Sequence, residues 1–479
     1  MPVAIVKQNI AIPPSQSPQA LLTQLQDWAG LIWLADDSQP VLGLCPRWQV
    51  SQIGSRTTLR RRAANGQLTS AQIQATDFAQ TLQQYWQSDC TDAWHTPPID
   101  GFRGGLLGYL GYDWAAARYG ISQQAKHAEH LDDPNSRATC RAWLGCYDIF
   151  LRQHADGWQL YGPDCPSLQP LYSQIAQCLQ PAPAAYTPTS RQPPHPLPDV
   201  CVVQQFAPRW SRATYQHAFE RVQNYLKAGD CYQVNLTQAF DATIDGRLLS
   251  RLDQLLHLTR APYAGYLAID PQHELLSCSP ELFLSFLPNG EVVTRPIKGT
   301  QPRHSDPQQD QQRKQQLAQS EKDQAENLMI VDLLRNDLAR LAKIGSVRVP
   351  KLFEIESFAQ VHHLVSEIRA TLATEQSALD LLLDALPGGS ITGAPKIRAM
   401  QIIAELEAGA RGAYCGSMGY LNTDGTGRFN ILIRTLERVE QQVSVWAGGG
   451  ITIASDLEQE YQECLDKVGA IMACVQADE

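Results

Sequence analysis

Two periodicities alternate along the second half of the chain. From Asp323 to Arg340 the apolar residues recur at the spacing of an amphipathic helix. Tyr414 to Leu421 and Arg428 to Thr435 instead flank the turn residues Asn422-Thr423-Asp424-Gly425 and read as a β-hairpin. In the second arm Phe429, Ile431 and Ile433 alternate with Asn430, Leu432 and Arg434, which predicts Arg434 on the polar face of its strand. A further helix is expected where Ser455 and Glu458 stand at capping-box spacing. In the first half, short apolar strands such as Leu31-Ile32-Trp33-Leu34 accompany a glycine-punctuated run from Phe102 to Asp113, whose glycines let backbones approach or bend. Strands interspersed with helices, without a βαβ repeat or a solenoid period, predict an α+β fold.

A proline-rich stretch from Pro181 to Pro198 interrupts this patterning with the composition of an extended linker. It predicts an N-terminal domain over residues 1–175, a linker over 176–208 and a catalytic domain over 209–475. The 479 residues carry a formal charge of −10, and the longest basic block is the short run Arg60-Arg61-Arg62, so nucleic acid is not the expected partner. With no apolar run long enough to span a bilayer and no leader-like N-terminus, a cytoplasmic protein with no membrane partner is expected. Its 12 cysteines lack a C-x-x-C pair, which suits reduced thiols; Cys231, Cys278, Cys415 and Cys464 lie in apolar segments as packing residues.

Three groupings have the makings of chemistry. Asp323 and Glu326 share one helix face, and Glu460, Glu463 and Lys467 share another. Each set reads equally as a solvated face; if the four acids converge, their repulsion calls for a cation, and hard oxygen donors suit Mg²⁺. Glycine-rich turns at Ile297–Thr300, Gly388–Pro395 and Gly448–Gly450 expose backbone N–H groups to an anion, although most such clusters are plain turns. Arg434 offers a bidentate fork for a carboxylate, or an ordinary salt bridge. Lys298 is a candidate nucleophile, Glu281 a candidate general acid among apolar neighbours, and His363 a candidate site residue; each taken singly reads equally as structural.

Together these segments resemble the chorismate-utilising enzymes, a family that includes anthranilate synthase component I, aminodeoxychorismate synthase component I, isochorismate synthase and salicylate synthase. The likeness rests on Gly229–Leu236, Ser279-Pro280-Glu281, Arg295–Thr300, Asp332–Leu338, Gly393–Met400, Arg411–Tyr414 and Ala447–Ile451, in family order and spacing across roughly residues 210–470. The Gly-Tyr-Leu-Gly-Tyr-Asp segment ending at Asp113 resembles the family's partner domain.

The resemblance implies one β-sandwich of two antiparallel sheets with helices packed outside, to which both halves contribute. It implies Mg²⁺ held directly by Glu326 and Glu463 and through water by Asp323 and Glu460, the first a residue shorter by one methylene than the family's usual glutamate. Gly299, Thr300, Tyr414, Arg434, Gly448, Gly450 and Lys467 are the implied contacts to the carboxylates of chorismate, with Glu281 as general acid and His363 beside the ring. Gln233 replaces the water-activating lysine of isochorismate and salicylate synthases. Lys298 stands where anthranilate synthases usually carry alanine, and the Pro-Ile-Lys-Gly-Thr form is that of the aminodeoxychorismate synthases. The implied activity is therefore an amino-group transferase that makes 4-amino-4-deoxychorismate, on the route to 4-aminobenzoate and folate, through a covalent lysine intermediate. Anthranilate synthase component I, or a catalytically silent chorismate-binding subunit, are the alternatives. No Gly-x-Cys-x-Gly segment of a glutamine amidotransferase is present, so a separate glutaminase is the implied source of ammonia, in a heterodimer.

Overall fold

A computed structural model describes residues 4–476 apart from 9, 11, 13–15, 37–38, 64, 91–93, 95–98, 122–138, 181–201, 359–360 and 408. Most of the expected linker thus lies outside the described residues. Its strands form two large sheets in which the described strands pair antiparallel, and both halves of the chain build each of them. In the first sheet, Ile32–Leu34 pairs with Leu267–Gly265 of the strand Tyr263–Asp270. In the second, Gly105–Leu110 pairs with Asn422–Ser417. The glycine-punctuated run matches this junction: a Cβ on Gly105, at φ +144°, would stand 2.2 Å from the Leu421 carbonyl oxygen of the strand it pairs with. Only a residue without a side chain lets the strands pair there.

The sheets face each other across buried side chains that include Leu236, Leu284, Trp143 and Phe429. Helices cover the outside. Glu321–Ala339, capped by Ser320 whose Oγ accepts from the Asp323 N–H, buries Ile330, Val331, Leu334 and Leu338, one stripe at helical spacing. Leu457–Gln476 buries Cys464, Val468, Ile471 and Val475 in the same way. Its cap differs from the expected Ser455–Glu458 box. The helix starts at Leu457, and Asp456 Oδ1 accepts from the Glu458 and Gln459 N–H groups, while the Ser455 hydroxyl donates to Glu460 Oε1 at 2.7 Å. Asp is as good an N-cap as Ser, and it stands one position closer to the orphan donors.

The hairpin is present with shorter arms, Ser417–Asn422 and Gly427–Asn430. Ile431–Arg434 does not continue the second arm; it carries the chain from the second sheet into the first, where Thr435–Val439 pairs with His273–Ser277. Arg434 accordingly sits at φ +52° instead of on a strand face. Alternation misplaced it because Ile431 and Leu432 are both buried, leaving the apolar count without a side. Pro280-Glu281 makes the matching crossing between His273–Ser279 and Leu282–Phe286. The two crossings are pinned together by Ile431 N–H to the Glu281 carbonyl at 3.1 Å and Ser279 Oγ–H to the Ile431 carbonyl at 2.6 Å.

Candidate active site

Side chains at a sheet crossing escape the in-and-out alternation of a strand, so they can be aimed into a space that neither sheet face reaches. Glu281 and Arg434, one from each crossing, open onto a cavity of about 630 Å³. Lys298, Gly299 and Thr300 reach it from the strand Ile297–Pro302, and Gly448–Gly450 from Gln442–Ile451. Asp323 and Glu326 come from one helix, Glu460, Glu463 and Lys467 from the other, and His363 and Tyr414 complete the predicted set. Of the site residues that the resemblance implied, Gln233 alone does not line this cavity. It is fully buried behind Gly450, where its Nε2 would lie 2.6 Å from an added Cβ, and both its amide atoms lack a partner among the described residues.

The cavity has two chemically different regions. At the carboxylate end, Lys467 Nζ is 2.7 Å from Glu463 Oε1 and donates to the Gly448 carbonyl at 2.8 Å, and Lys322 Nζ lies 3.9 Å from Glu460 Oε1. Burial raises the Glu326 carboxyl pKa against the nearby ammonium groups of Lys298 and Lys322, with Glu460 and Asp323 adding repulsion. Burial likewise raises Glu460, with Glu463 adding to the rise. Partial desolvation pushes Glu463 in the same direction, but Lys467, together with Lys298 and Lys322, leaves that carboxyl below its usual value. Among the described residues no three His, Cys, Asp or Glu side chains stand at metal-ligand spacing; the four acids line one cavity, with Lys467 against Glu463 and Lys322 near Glu460.

At the other end, burial raises the Glu281 carboxyl pKa, opposed by the Lys298 charge and by a 3.1 Å hydrogen bond from Ser390 Oγ–H. A carboxyl shifted upward by desolvation retains its proton where an exposed one has lost it. The His363 pKa is pushed down to about 4 by burial and by the Arg434 charge, so the imidazole is neutral, with Nδ1 2.8 Å from Thr300 Oγ1. Burial lowers Arg434 itself from its usual range. Tyr414, held back from ionising by burial, stacks on Trp446 at 5.9 Å. This end offers cationic, hydroxyl and backbone donors around a neutral imidazole, a surface suited to an anionic ring.

Sequence reading passed over several residues here. Lys322 lies four positions before Glu326, a pairing visible at helical spacing. Arg411 stood in the matching segment Arg411–Tyr414 without an assigned role: fully buried, it donates to Glu407, to the Asn235 carbonyl at 2.7 Å and to the Ile391 carbonyl at 3.1 Å. From the N-terminal region, Tyr112 lies under the Arg411 guanidinium at 4.7 Å and Asp113 Oδ2 accepts from the Gly412 N–H at 2.7 Å. That half therefore props the loop that ends in Tyr414, although it places no side chain in the cavity. Cys231, Cys278, Cys415 and Cys464 are buried, in keeping with packing roles.

Comparison with known proteins places this geometry. Residues 43–473 match the family described as chorismate binding enzyme. The chain is similar to aminodeoxychorismate synthase component 1 of Klebsiella aerogenes, 39% identical over 462 residues that cover 96% of this chain and 94% of that protein. It is 50% identical over 277 residues to aminodeoxychorismate synthase component 1 of Escherichia coli strain K12, a match spanning 58% of this chain and 61% of the relative. Anthranilate synthase component 1 of Streptomyces coelicolor is 34% identical over 396 residues, 80% of this chain and 75% of that one. Among solved structures, anthranilate synthase component I of Streptococcus pneumoniae TIGR4 superposes with a TM-score of 0.72 at 25% identity, covering 98% of this chain and all of that one. The isochorismate synthase MenF of Escherichia coli, at 18% identity and a TM-score of 0.68, shares the fold across 99% of this chain and 96% of its own.

Proposed function

The chain belongs to the chorismate binding enzyme family, and on that premise we propose that it makes 4-amino-4-deoxychorismate from chorismate and ammonia. One observation carries the reading: Lys298 and Glu281 face the same cavity, close enough for the lysine charge to act on the carboxyl. A nucleophile and an acid so placed divide the replacement of a hydroxyl by an amine into two displacements. The Lys298 nitrogen, after its ammonium proton has passed to solvent, adds at C2 while the two conjugated ring double bonds shift and the C4–O bond breaks. Glu281 gives its proton to the departing oxygen, which leaves as water. Ammonia then adds at C4, both ring double bonds return to their original positions, and the Lys298 nitrogen leaves C2. Pyruvate is not released at any step, so the product keeps its enolpyruvyl group.

Arg434, Tyr414 and the amides of Gly299, Gly448 and Gly450 would hold the substrate carboxylates, with Thr300 and Lys467 beside them. The neutral imidazole of His363 would border the ring without adding charge. The four acids are an all-oxygen donor set on one cavity, where burial raises the Glu326 and Glu460 carboxyls and neighbouring carboxylates add to the rise, a setting that fits a hard divalent cation. In that role Glu326 and Glu463 would bind Mg²⁺ directly, and Asp323 and Glu460 through water. The ion would supply charge neutralisation and a coordination position for a substrate carboxylate.

The relatives are named as component 1, and with no recognisable glutaminase segment in this chain, ammonia would come from a separate glutamine amidotransferase in a heterodimer. Among the described residues no helix is long and apolar enough to cross a membrane. With unpaired cysteines throughout them, a cytoplasmic setting is the consistent one. The test is to incubate the purified chain with chorismate, Mg²⁺ and ammonium at alkaline pH and identify the product by mass. 4-Amino-4-deoxychorismate without pyruvate is expected; anthranilate would contradict the reading, and so would turnover of glutamine by the chain alone.

A further inference from the structure

The backbone of Glu281 is fixed on both sides: its N–H donates to Ser279 Oγ at 3.2 Å and its carbonyl accepts from the Ile431 N–H. Its carboxyl is buried and accepts at Oε1 from Ser390 Oγ–H at 3.1 Å. Ser390 is itself buried, 8% exposed, on the short turn Gly389–Ile391. That turn cannot drift. The Ile391 carbonyl takes hydrogen bonds from Asn235 Nδ2 at 3.0 Å and Arg411 Nη1 at 3.1 Å, and Thr392 Oγ1 ties back to the Gly388 carbonyl at 3.0 Å.

We propose that Ser390 is a positioning residue for the acid step: its hydroxyl occupies Oε1 and so leaves the transferable proton of Glu281 on Oε2. The inference rests on the proposed role of Glu281. The proton passes from Oε2 to the 4-oxygen as the C4–O electron pair moves onto that oxygen; water departs, and the Ser390 O–H remains as a donor to the carboxylate left behind. A carboxyl with two equivalent free oxygens would spend half its time with the proton on the wrong one and could rotate about its terminal bond, which is broad in energy. Other groups acting on Glu281 are Lys298 from the strand Ile297–Pro302, Lys467 from the helix Leu457–Gln476, and the Cys415 thiol. The two lysines are cations that stabilise the carboxylate without fixing its orientation.

Rates at saturating chorismate and Mg²⁺, with free NH₃ held constant across pH, separate positioning from mere packing. Ser390→Ala should lower kcat roughly tenfold while KM for chorismate stays within about twofold. Because the carboxylate loses a donor, its pKa rises further and the alkaline limb of kcat moves up by about one unit. Ser390→Cys, close in shape with a weaker donor, should fall between the two. Loss of rate with an unmoved limb in Ser390→Ala, or a Cys variant no better than Ala, overturns the role of Ser390. A parent chain that forms no amino product overturns the function itself, and with it this inference.

Discussion

Gly299 stands between the candidate nucleophile and Thr300, and alanine there meets two separate costs. The backbone lies at φ +83°, so a side chain adds about 1 kcal/mol of left-handed strain. The new Cβ would also sit 2.8 Å from Leu317 Cδ1 and 2.9 Å from Asp323 Cγ. Leu317 is buried, so it cannot swing into solvent, and overpacking of this kind costs about 1–3 kcal/mol more. Gly229 supplies the control, since it caps the helix Arg212–Ala228 at φ +79° with nothing within 4 Å of an added Cβ. Gly229→Ala should therefore lose about 1 kcal/mol and Gly299→Ala about 2–4 kcal/mol in urea unfolding. Relief of the clash moves Asp323 off the carboxylate wall, so only Gly299→Ala should need more Mg²⁺ for half-maximal rate. Equal stability losses in the two variants, or an unchanged Mg²⁺ requirement in Gly299→Ala, would refute this reasoning.

Other substitutions separate chemistry from scaffolding. Glu281→Gln keeps the shape but removes the transferable proton, and kcat should fall by about 10²–10⁴ with chorismate binding, followed by fluorescence, little changed; a smaller loss would remove Glu281 as the acid. Asp113 has its pKa raised from an ordinary 3.8 to about 6, chiefly by burial, against the Gly412 amide and Arg141. Its folded form thus holds a proton that the unfolded chain has released, a contribution present below the unfolded value and lost as pH rises through about 6. Stability relative to Asp113→Asn should fall by roughly 2–3 kcal/mol from about pH 4 to pH 7, and a constant difference would contradict the shift. Arg411→Met strands the buried Glu407 carboxylate and should cost about 3–5 kcal/mol in thermal or urea unfolding, partly recovered by adding Glu407→Leu; no recovery would mean that the loss comes from packing.

How much of this was legible follows from what each signal measures. Helical spacing located the acids because a helix face is a local property: Asp323, Glu326, Glu460 and Glu463 needed only i, i+3 counting, although their meeting at one cavity depended on the resemblance. Arg434 was found as a residue and misplaced as geometry, since alternation cannot report a strand that leaves one sheet for another. Gln233 was recognised by its position in a motif, yet its side chain lies behind Gly450, outside the cavity, because orientation around a close-packed glycine strand is decided by the neighbouring backbone. Ser390, Arg411 and Asp113 stood inside quoted segments, yet their contacts join stretches far apart in the chain, which no local pattern reports. The division of the chain at its proline-rich stretch reads composition alone, whereas strands from both sides of that stretch complete each sheet.

The covalent role of Lys298 is the centre of the account, and withholding ammonia tests it most directly. Without the second nucleophile, enzyme mixed with chorismate and Mg²⁺ and quenched in acid should gain the mass of chorismate less one water, with the added mass mapped to the peptide containing Lys298. Ammonium added before the quench should discharge it as 4-amino-4-deoxychorismate. Product formation at an undiminished rate by Lys298→Ala, with no adduct on the parent chain, would contradict the account.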